Sequence, residues 1–177
     1  MDNEKKYLIG GAMLITFLLY KLGFKGYSIT QKDWNQLNKS NKIGLPLAGK
    51  IRITSGFGWR SFGGGQFHNG VDLVPKDQPI LGAPILAPLS GTITDNYFND
   101  RGGHQLVLDS GYAKFGFAHL QNKSPIAKGT KVKKGQLIGY LGNTGTSTGA
   151  HLHFTLRLNN AVVDPIQNIN AFKNAIS

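Results

Sequence analysis

Beyond Pro46 the chain consists of short apolar runs separated by glycines, and this pattern restricts the possible folds more than any other feature. Most of the 24 glycines lie in this part, among Val, Ile, Thr and Phe. Glycine favours turns over helices, whereas β-branched and aromatic residues favour strands. The pattern therefore predicts a compact all-β domain, either a sandwich or a barrel. The predicted strands are residues 50–54, 91–97, 105–108, 113–119, 137–141 and 151–158.

The beginning of the chain has a different pattern, because residues 7–20 are apolar and uncharged and residues 7–24 contain only one charge, Lys21. As a helix, residues 7–24 would extend about 27 Å, close to the roughly 30 Å of a bilayer core. A cleaved signal peptide is disfavoured because no small-residue cleavage site follows, and a buried core helix because every face is apolar. We expect an uncleaved N-terminal transmembrane helix, whose flanking charges leave its orientation open.

Residues 25–45 are polar and predict a tether with one short helix over residues 30–37, capped by Ser28 or Thr30. Trp34 is expected to rest either at a membrane interface or against the following domain. The sequence thus divides into an anchor over residues 1–24, a tether over residues 25–45 and a globular domain over residues 46–177.

Two missing residue types narrow the possible chemistry. The chain has no cysteine, and its sole glutamate, Glu4, precedes the domain. Disulfides, a thiolate nucleophile, a cysteine zinc finger and an HExxH peptidase helix are therefore excluded, and a hydrolytic base must be His or Asp.

The formal net charge of +11 fits either simple solubility or polyanionic partners such as anionic lipids, wall polymers or nucleic acid. The densest basic cluster, Lys131, Lys133 and Lys134, lacks the interleaved aromatic residues of a platform for single-stranded nucleic acid. We therefore expect no specific nucleic-acid partner.

The motif HLHF at residues 151–154 contains two of the chain's five histidines. Because side chains alternate along a strand, His151 and His153 are predicted to share one face, while Leu152 and Phe154 point into a core. Taken alone, the motif is weak evidence for a site, and two surface histidines on a half-exposed strand are the favoured interpretation.

Two further motifs supply more candidates. In HNGVD, His68 and Asp72 can converge from a loop that runs into a strand. In FGFAHL, Phe115 and Phe117 are expected to line one face of a strand, with His119 at its end. A catalytic zinc site needs three ligands and one open position, and His and Asp are the ligand types that this domain offers.

The order and spacing of these motifs resemble those of the lysostaphin-type, or LytM-like, zinc metallopeptidases. The resemblance extends over about 120 residues, from Ile51 to about Asn168. The residues that carry it are SGFGWR at 55–60, HNGVDL at 68–73, APILAPLSGTI at 83–93, FAHL at 117–120, GTKVKKGQLIGYLGNTGTSTGAHLHF at 129–154 and VDP at 163–165.

The resemblance implies that His68, Asp72 and His153 bind one Zn²⁺ per chain, and that His151 and His119 are the catalytic histidines. It also implies a small antiparallel β domain with a substrate groove. The remaining histidine, His104, stands where the family commonly has Asn and is expected to be structural or incidental. Phe117 replaces a common Tyr, which would remove a hydroxyl near the cleft.

The implied function is that of a zinc-dependent endopeptidase that hydrolyses peptide cross-links of bacterial peptidoglycan. The anchor would place the domain at a membrane, facing the cell wall, and a bacteriophage virion membrane is an equally suitable setting. The alternative is a catalytically silent family member with a structural or regulatory role at a membrane or in a virion. A lipoyl- or biotinyl-type carrier, suggested by VKKGQLIGYLG, is disfavoured because the Met-Lys-Met-type turn is missing.

Overall fold

The structure, a computed structural model, describes residues 28–60 and 65–176. The predicted membrane anchor at residues 7–24 lies outside these ranges. Within them, no helix has the length and apolar character needed to cross a membrane.

The described residues form a mostly β domain with three short helices. The strands are β1 (Ile51–Ser55), β2 (Gly58–Trp59), β3 (Phe67–His68), β4 (Val71–Pro75), β5 (Pro84–Leu86), β6 (Gly91–Asn99), β7 (Gly103–Asp109), β8 (Ala113–Leu120), β9 (Lys131–Val132), β10 (Leu137–Tyr140), β11 (Leu152–Leu158) and β12 (Ala161–Val163). The helices are α1 (Gln31–Lys39), α2 (Pro165–Asn168) and α3 (Phe172–Ala175).

The main sheet has the strand order β1-β4-β11-β8-β7-β6-β9, and β12 pairs with β11. Two small sheets, β10-β5 and β2-β3, accompany it. Every pairing of these strands is antiparallel. The predicted antiparallel β domain is therefore confirmed, and all six predicted strands are present with ends shifted by at most two residues.

The two faces of the main sheet have different roles. On β11, Leu152, Phe154 and Leu156 are fully buried in the core, as the alternation of HLHF predicts. The intervening His153 and Thr155 are only partly buried and lie on the opposite face. One face of the main sheet therefore packs against the core, and the opposite face can hold a functional site.

The described part of the predicted tether packs against this domain. Ile29 forms a parallel bridge with Gly111, and Thr30 caps α1 in a capping box with Asp33. Trp34 on α1 is 3% exposed, and its ring centroid lies 6.3 Å from that of Phe115 in the core. Of the two positions expected for Trp34, the structure shows the one against the domain.

Replacing Trp34 with Ala is expected to destabilise the full-length chain by about 3–5 kcal/mol, because it removes a large side chain from a packed core. Thermal unfolding followed by circular dichroism would measure this loss. Asn35→Ala, an exposed substitution on the same helix, is the matched control. Equal melting temperatures for the two variants would show that α1 contributes nothing to the core.

Candidate metal centre

The centre begins with a pair of residues that face each other across two neighbouring strands. In the register of β4 and β11, Asp72 lies directly opposite His153. Directly opposed side chains of an antiparallel pair lie close together on the same face. The distance from Asp72 Oδ1 to His153 Nδ1 is 2.9 Å.

His68 joins this pair from the hairpin of β2 and β3, in which it pairs with Gly58. A short turn at Asn69 and Gly70 then leads into β4. His68 Nε2 lies 3.1 Å from Asp72 Oδ1 and 2.9 Å from His153 Nδ1. The structure therefore brings together the three side chains that the resemblance implies as ligands.

In the imidazoles of His68 and His153, the outer nitrogen, which points away from Asp72, contacts an oxygen acceptor. His68 Nδ1 lies 2.6 Å from the Gly56 carbonyl oxygen, and His153 Nε2 lies 3.2 Å from Asn69 Oδ1. Because these oxygens can only accept, the two outer nitrogens donate. In the neutral imidazoles the inner nitrogens, His68 Nε2 and His153 Nδ1, then carry lone pairs.

Three lone-pair atoms thus converge without a hydrogen between them, an arrangement that a cation stabilises. Ligand atoms about 2.0–2.1 Å from a tetrahedral zinc ion would be about 3.3 Å apart. The three observed separations of 2.9–3.1 Å are close to this value. Two imidazoles and a carboxylate also form a common ligand set of catalytic zinc sites, so the residues fit the ion.

The surroundings of Asp72 favour its ionised form. Burial by itself raises its pKa, but the hydrogen bonds that His153 and His68 donate when they are protonated, together with the charges of His68 and His151, hold the net pKa well below its usual range. Protons on these imidazoles and a metal ion therefore compete for the same carboxylate oxygen.

The two remaining candidate histidines lie beside this cluster. His151 Nε2 is 3.6 Å from Asp72 Oδ1, and the His119 and His151 ring centroids are 4.7 Å apart. His151 Nδ1 lies 2.8 Å from the Gly149 carbonyl oxygen, and His119 Nδ1 lies 2.8 Å from that of Thr144. Each ring therefore donates from Nδ1, and Nε2 is the basic atom of its neutral form.

A bulge in β8 turns His119 toward the site. Leu106 pairs with Phe117 and His104 with Leu120, so two residues of β8 oppose one residue of β7. His119 adopts a positive φ of 61°, which few non-glycine residues do.

Phe115 and Phe117 share one face of β8, as predicted, but His119 near the end of this strand does not lie on that face. Both phenylalanines are buried in the core, where they pack on Phe154, and the bulge reverses the direction of His119. A hydroxyl at position 117 would therefore lie in the core and not near the cleft.

Burial lowers the pKa of His119 below its ordinary value, and the nearby His151 and His153 lower it further. The hydrogen bond to Thr144 and the charge of Asp72 oppose this shift only in part. His119 is consequently neutral at pH 7 and able to accept a proton.

His104 lies outside this group and contacts the edge of Phe98, with ring centroids 5.0 Å apart. Motif spacing did not identify Arg60, whose Nη2 lies 2.9 Å from Asp72 Oδ2, or the carbonyl partners Gly56 and Thr144. These contacts join residues of separate loops, and only the SGFGWR motif of the resemblance pointed to Arg60 or Gly56.

Gly70→Ala is expected to weaken metal binding by at least about tenfold, the effect typical of a disturbed ligand environment. A Cβ at Gly70 would lie 2.6 Å from the Phe154 carbonyl oxygen and 2.9 Å from His153 Cε1, so the ring must move. Zinc affinity would be measured by competition with a chelator. Gly56→Ala is the steric control, because its Cβ meets nothing within 4 Å and the backbone carbonyl that contacts His68 is retained. Unchanged affinity in Gly70→Ala would contradict the steric argument.

Comparison with known proteins finds relatives of this chain among peptidases. The DD-carboxypeptidase/endopeptidase Mpg of Neisseria meningitidis is 33% identical over 121 residues, which cover 65% of this chain and 26% of that protein. The chain thus corresponds to about a quarter of the length of this curated relative.

Two solved structures have the same fold. A zinc-containing peptidase from Vibrio cholerae superposes with a TM-score of 0.59 at 35% identity, covering 67% of this chain and 37% of the other. The catalytic domain of lysostaphin from Staphylococcus simulans gives a TM-score of 0.56 at 32% identity, covering 65% and 89%. Residues 66–165, more than half of the chain, match the model of one protein family, and the chain belongs to that family, peptidase family M23.

Proposed function

We propose that this protein is a zinc-dependent endopeptidase that hydrolyses peptide cross-links in bacterial peptidoglycan, with one Zn²⁺ held by His68, Asp72 and His153. The observation that carries the proposal is the convergence of three lone-pair atoms beside two further imidazoles, each of which has its Nδ1 bound to a backbone carbonyl. A structural metal site would need the first group but not the second.

When bound, zinc supplies a Lewis acid and makes a water-derived nucleophile available near neutral pH. His119 and His151 move the protons. Because Nδ1 of each ring already donates to a backbone carbonyl, each accepts a proton only at Nε2. The protonated ring can then donate from Nε2 to an oxyanion or to the leaving amine.

The backbone carbonyls of Thr144 and Gly149 fix the orientation of these two rings. They belong to the loop between β10 and β11, which also contains Ser147, whose hydroxyl lies 3.2 Å from His151 Nδ1. The rings are therefore set in place before substrate binds, which lowers the cost of reaching the reactive geometry.

The substrate class is inferred from relatives. Lysostaphin is named an antimicrobial peptidase, and Mpg a carboxypeptidase and endopeptidase. We carry peptide-bond hydrolysis over to this chain because all five expected side chains are present and close together. The cell-wall peptide is the proposed substrate.

The full-length protein is expected to bind about one zinc ion and to release amines from purified peptidoglycan. His153→Ala should lose zinc and activity. His119→Ala and His151→Ala should keep zinc but lose about 10²–10⁴-fold in turnover, the usual contribution of a positioned acid or base. Metal analysis and amine release would be measured on the same samples.

His104→Ala is the matched control, because it removes a histidine of the same domain that does not contact the cluster. It should leave zinc content and turnover unchanged. Stoichiometric zinc without cleavage of glycyl-glycine or D-Ala-diamino acid links would favour the silent, structural or regulatory alternative. Absence of zinc from the wild-type protein would refute the proposal.

We also propose that residues 7–24 hold the enzyme in a membrane as a single-pass anchor, with the domain facing the cell wall of a bacterium or located in a phage virion membrane. The support is the charge-free stretch of residues 7–20 and the near match between a helix over residues 7–24 and the thickness of a bilayer core.

The full-length protein is accordingly expected to remain with membranes after an alkaline carbonate wash. The double substitution Leu14→Lys and Leu18→Lys should release it, because each central charge costs about 2.5–3.5 kcal/mol on insertion. Asn3→Lys, which adds a charge outside the segment, is the control. Retention of the double variant would exclude this segment as the anchor.

A further inference from the structure

The two carboxylate oxygens of Asp72 have different surroundings, and Arg60 contacts only one of them. Arg60 Nη2 lies 2.9 Å from Oδ2. The imidazole nitrogens approach Oδ1 instead, with His153 Nδ1 at 2.9 Å, His68 Nε2 at 3.1 Å and His151 Nε2 at 3.6 Å. One oxygen therefore faces the metal position, and a cation holds the other.

This contact differs from an ordinary surface ion pair. The Asp72 side chain is only 13% exposed, and the Nε atom of Arg60 is buried without a hydrogen-bond partner in the described structure. The backbone N–H of Arg60 donates to the Gln66 carbonyl oxygen, which fixes the base of the side chain. The Arg60 side chain is itself 36% exposed, so the guanidinium approaches the carboxylate from the edge of the site.

The arginine also belongs to a segment that supports a second ligand. Gly56, four residues earlier, accepts the hydrogen bond of His68 Nδ1. The segment of residues 55–60 therefore contacts two of the three ligands without supplying a ligand itself. The segment is therefore placed to position the ligands of the metal centre.

We propose that Arg60 is a positioning residue that keeps Asp72 a one-oxygen ligand and so preserves the open coordination position of the centre. The inference rests on the proposed metal site. A carboxylate can bind a cation through one oxygen or both. Binding through both oxygens would fill the position that a catalytic zinc site keeps open. The hydrogen bond from Arg60 uses one lone pair of Oδ2 and holds this oxygen toward the guanidinium, which disfavours binding of the metal through Oδ2.

The alternative is that Arg60 only stabilises the fold, and the two roles predict different results. Partly exposed ion pairs add little to stability, so a structural role would appear only as a small change in melting temperature. If Arg60 has a positioning role, its replacement changes the coordination of the metal and lowers kcat, while KM stays nearly constant.

The test is Arg60→Gln in the full-length protein, loaded with Co²⁺ as a spectroscopic substitute for zinc. The variant should retain about one metal ion. Its visible absorption should weaken, because five-coordinate Co²⁺ absorbs less strongly than four-coordinate Co²⁺. With saturating metal, kcat should fall about 10–100-fold, with little change in KM.

Two variants make the result specific. Arg60→Lys keeps the charge and one hydrogen bond and should recover part of the wild-type spectrum and kcat. If Arg60→Gln fails to fold, Arg60→Lys takes its place as the test variant. Arg52→Gln removes the same charge from exposed Arg52 on neighbouring β1 and should match the wild type.

A wild-type spectrum and kcat in Arg60→Gln would overturn the inference. Loss of metal from a folded Arg60→Gln would overturn it too, because Arg60 would then retain the carboxylate instead of selecting how it binds. If the wild type binds Co²⁺ but cleaves no peptidoglycan, the proposed function fails. The spectral comparison still tests Arg60 in that case.

Discussion

Asp72 Oδ1, His68 Nε2 and His153 Nδ1 lie within 3.1 Å of one another, and in the neutral imidazoles no hydrogen separates them. Such crowding of lone pairs is unfavourable unless a proton or a metal ion occupies the centre. It persists only where the backbone prevents the side chains from separating. Two of the three ligands accordingly lie on adjacent central strands, above a core that includes the buried Phe154.

Each ligand is also held from outside the cluster. Gly56 fixes His68, Asn69 fixes His153, and Arg60 holds the second oxygen of Asp72. Such outer contacts decide which nitrogen of a histidine is free and how a carboxylate approaches the metal. They also explain why a motif such as SGFGWR, which contains no ligand, accompanies the ligand motifs in this sequence.

The bulge in β8 allows one strand to serve two purposes. Phe115 and Phe117 continue the core, while His119, two residues later, faces the site. A regular strand would direct all three to the same side. The positive φ of His119 is unfavourable for a side-chain-bearing residue, and the hydrogen bonds from its backbone N–H to Gly102 and from its ring to Thr144 hold it there.

The sequence by itself determined the strand-rich domain, the common face of His151 and His153, the buried Leu152 and Phe154, and the five side chains of the candidate site. These follow from residue type, local spacing and the order of motifs, which short-range geometry fixes. Only the tertiary structure decided that Trp34 packs in the core, that His119 turns away from Phe117, and that Arg60 reaches Asp72. These features depend on strand register and on contacts between separate segments of the chain, and a linear pattern contains no information on either.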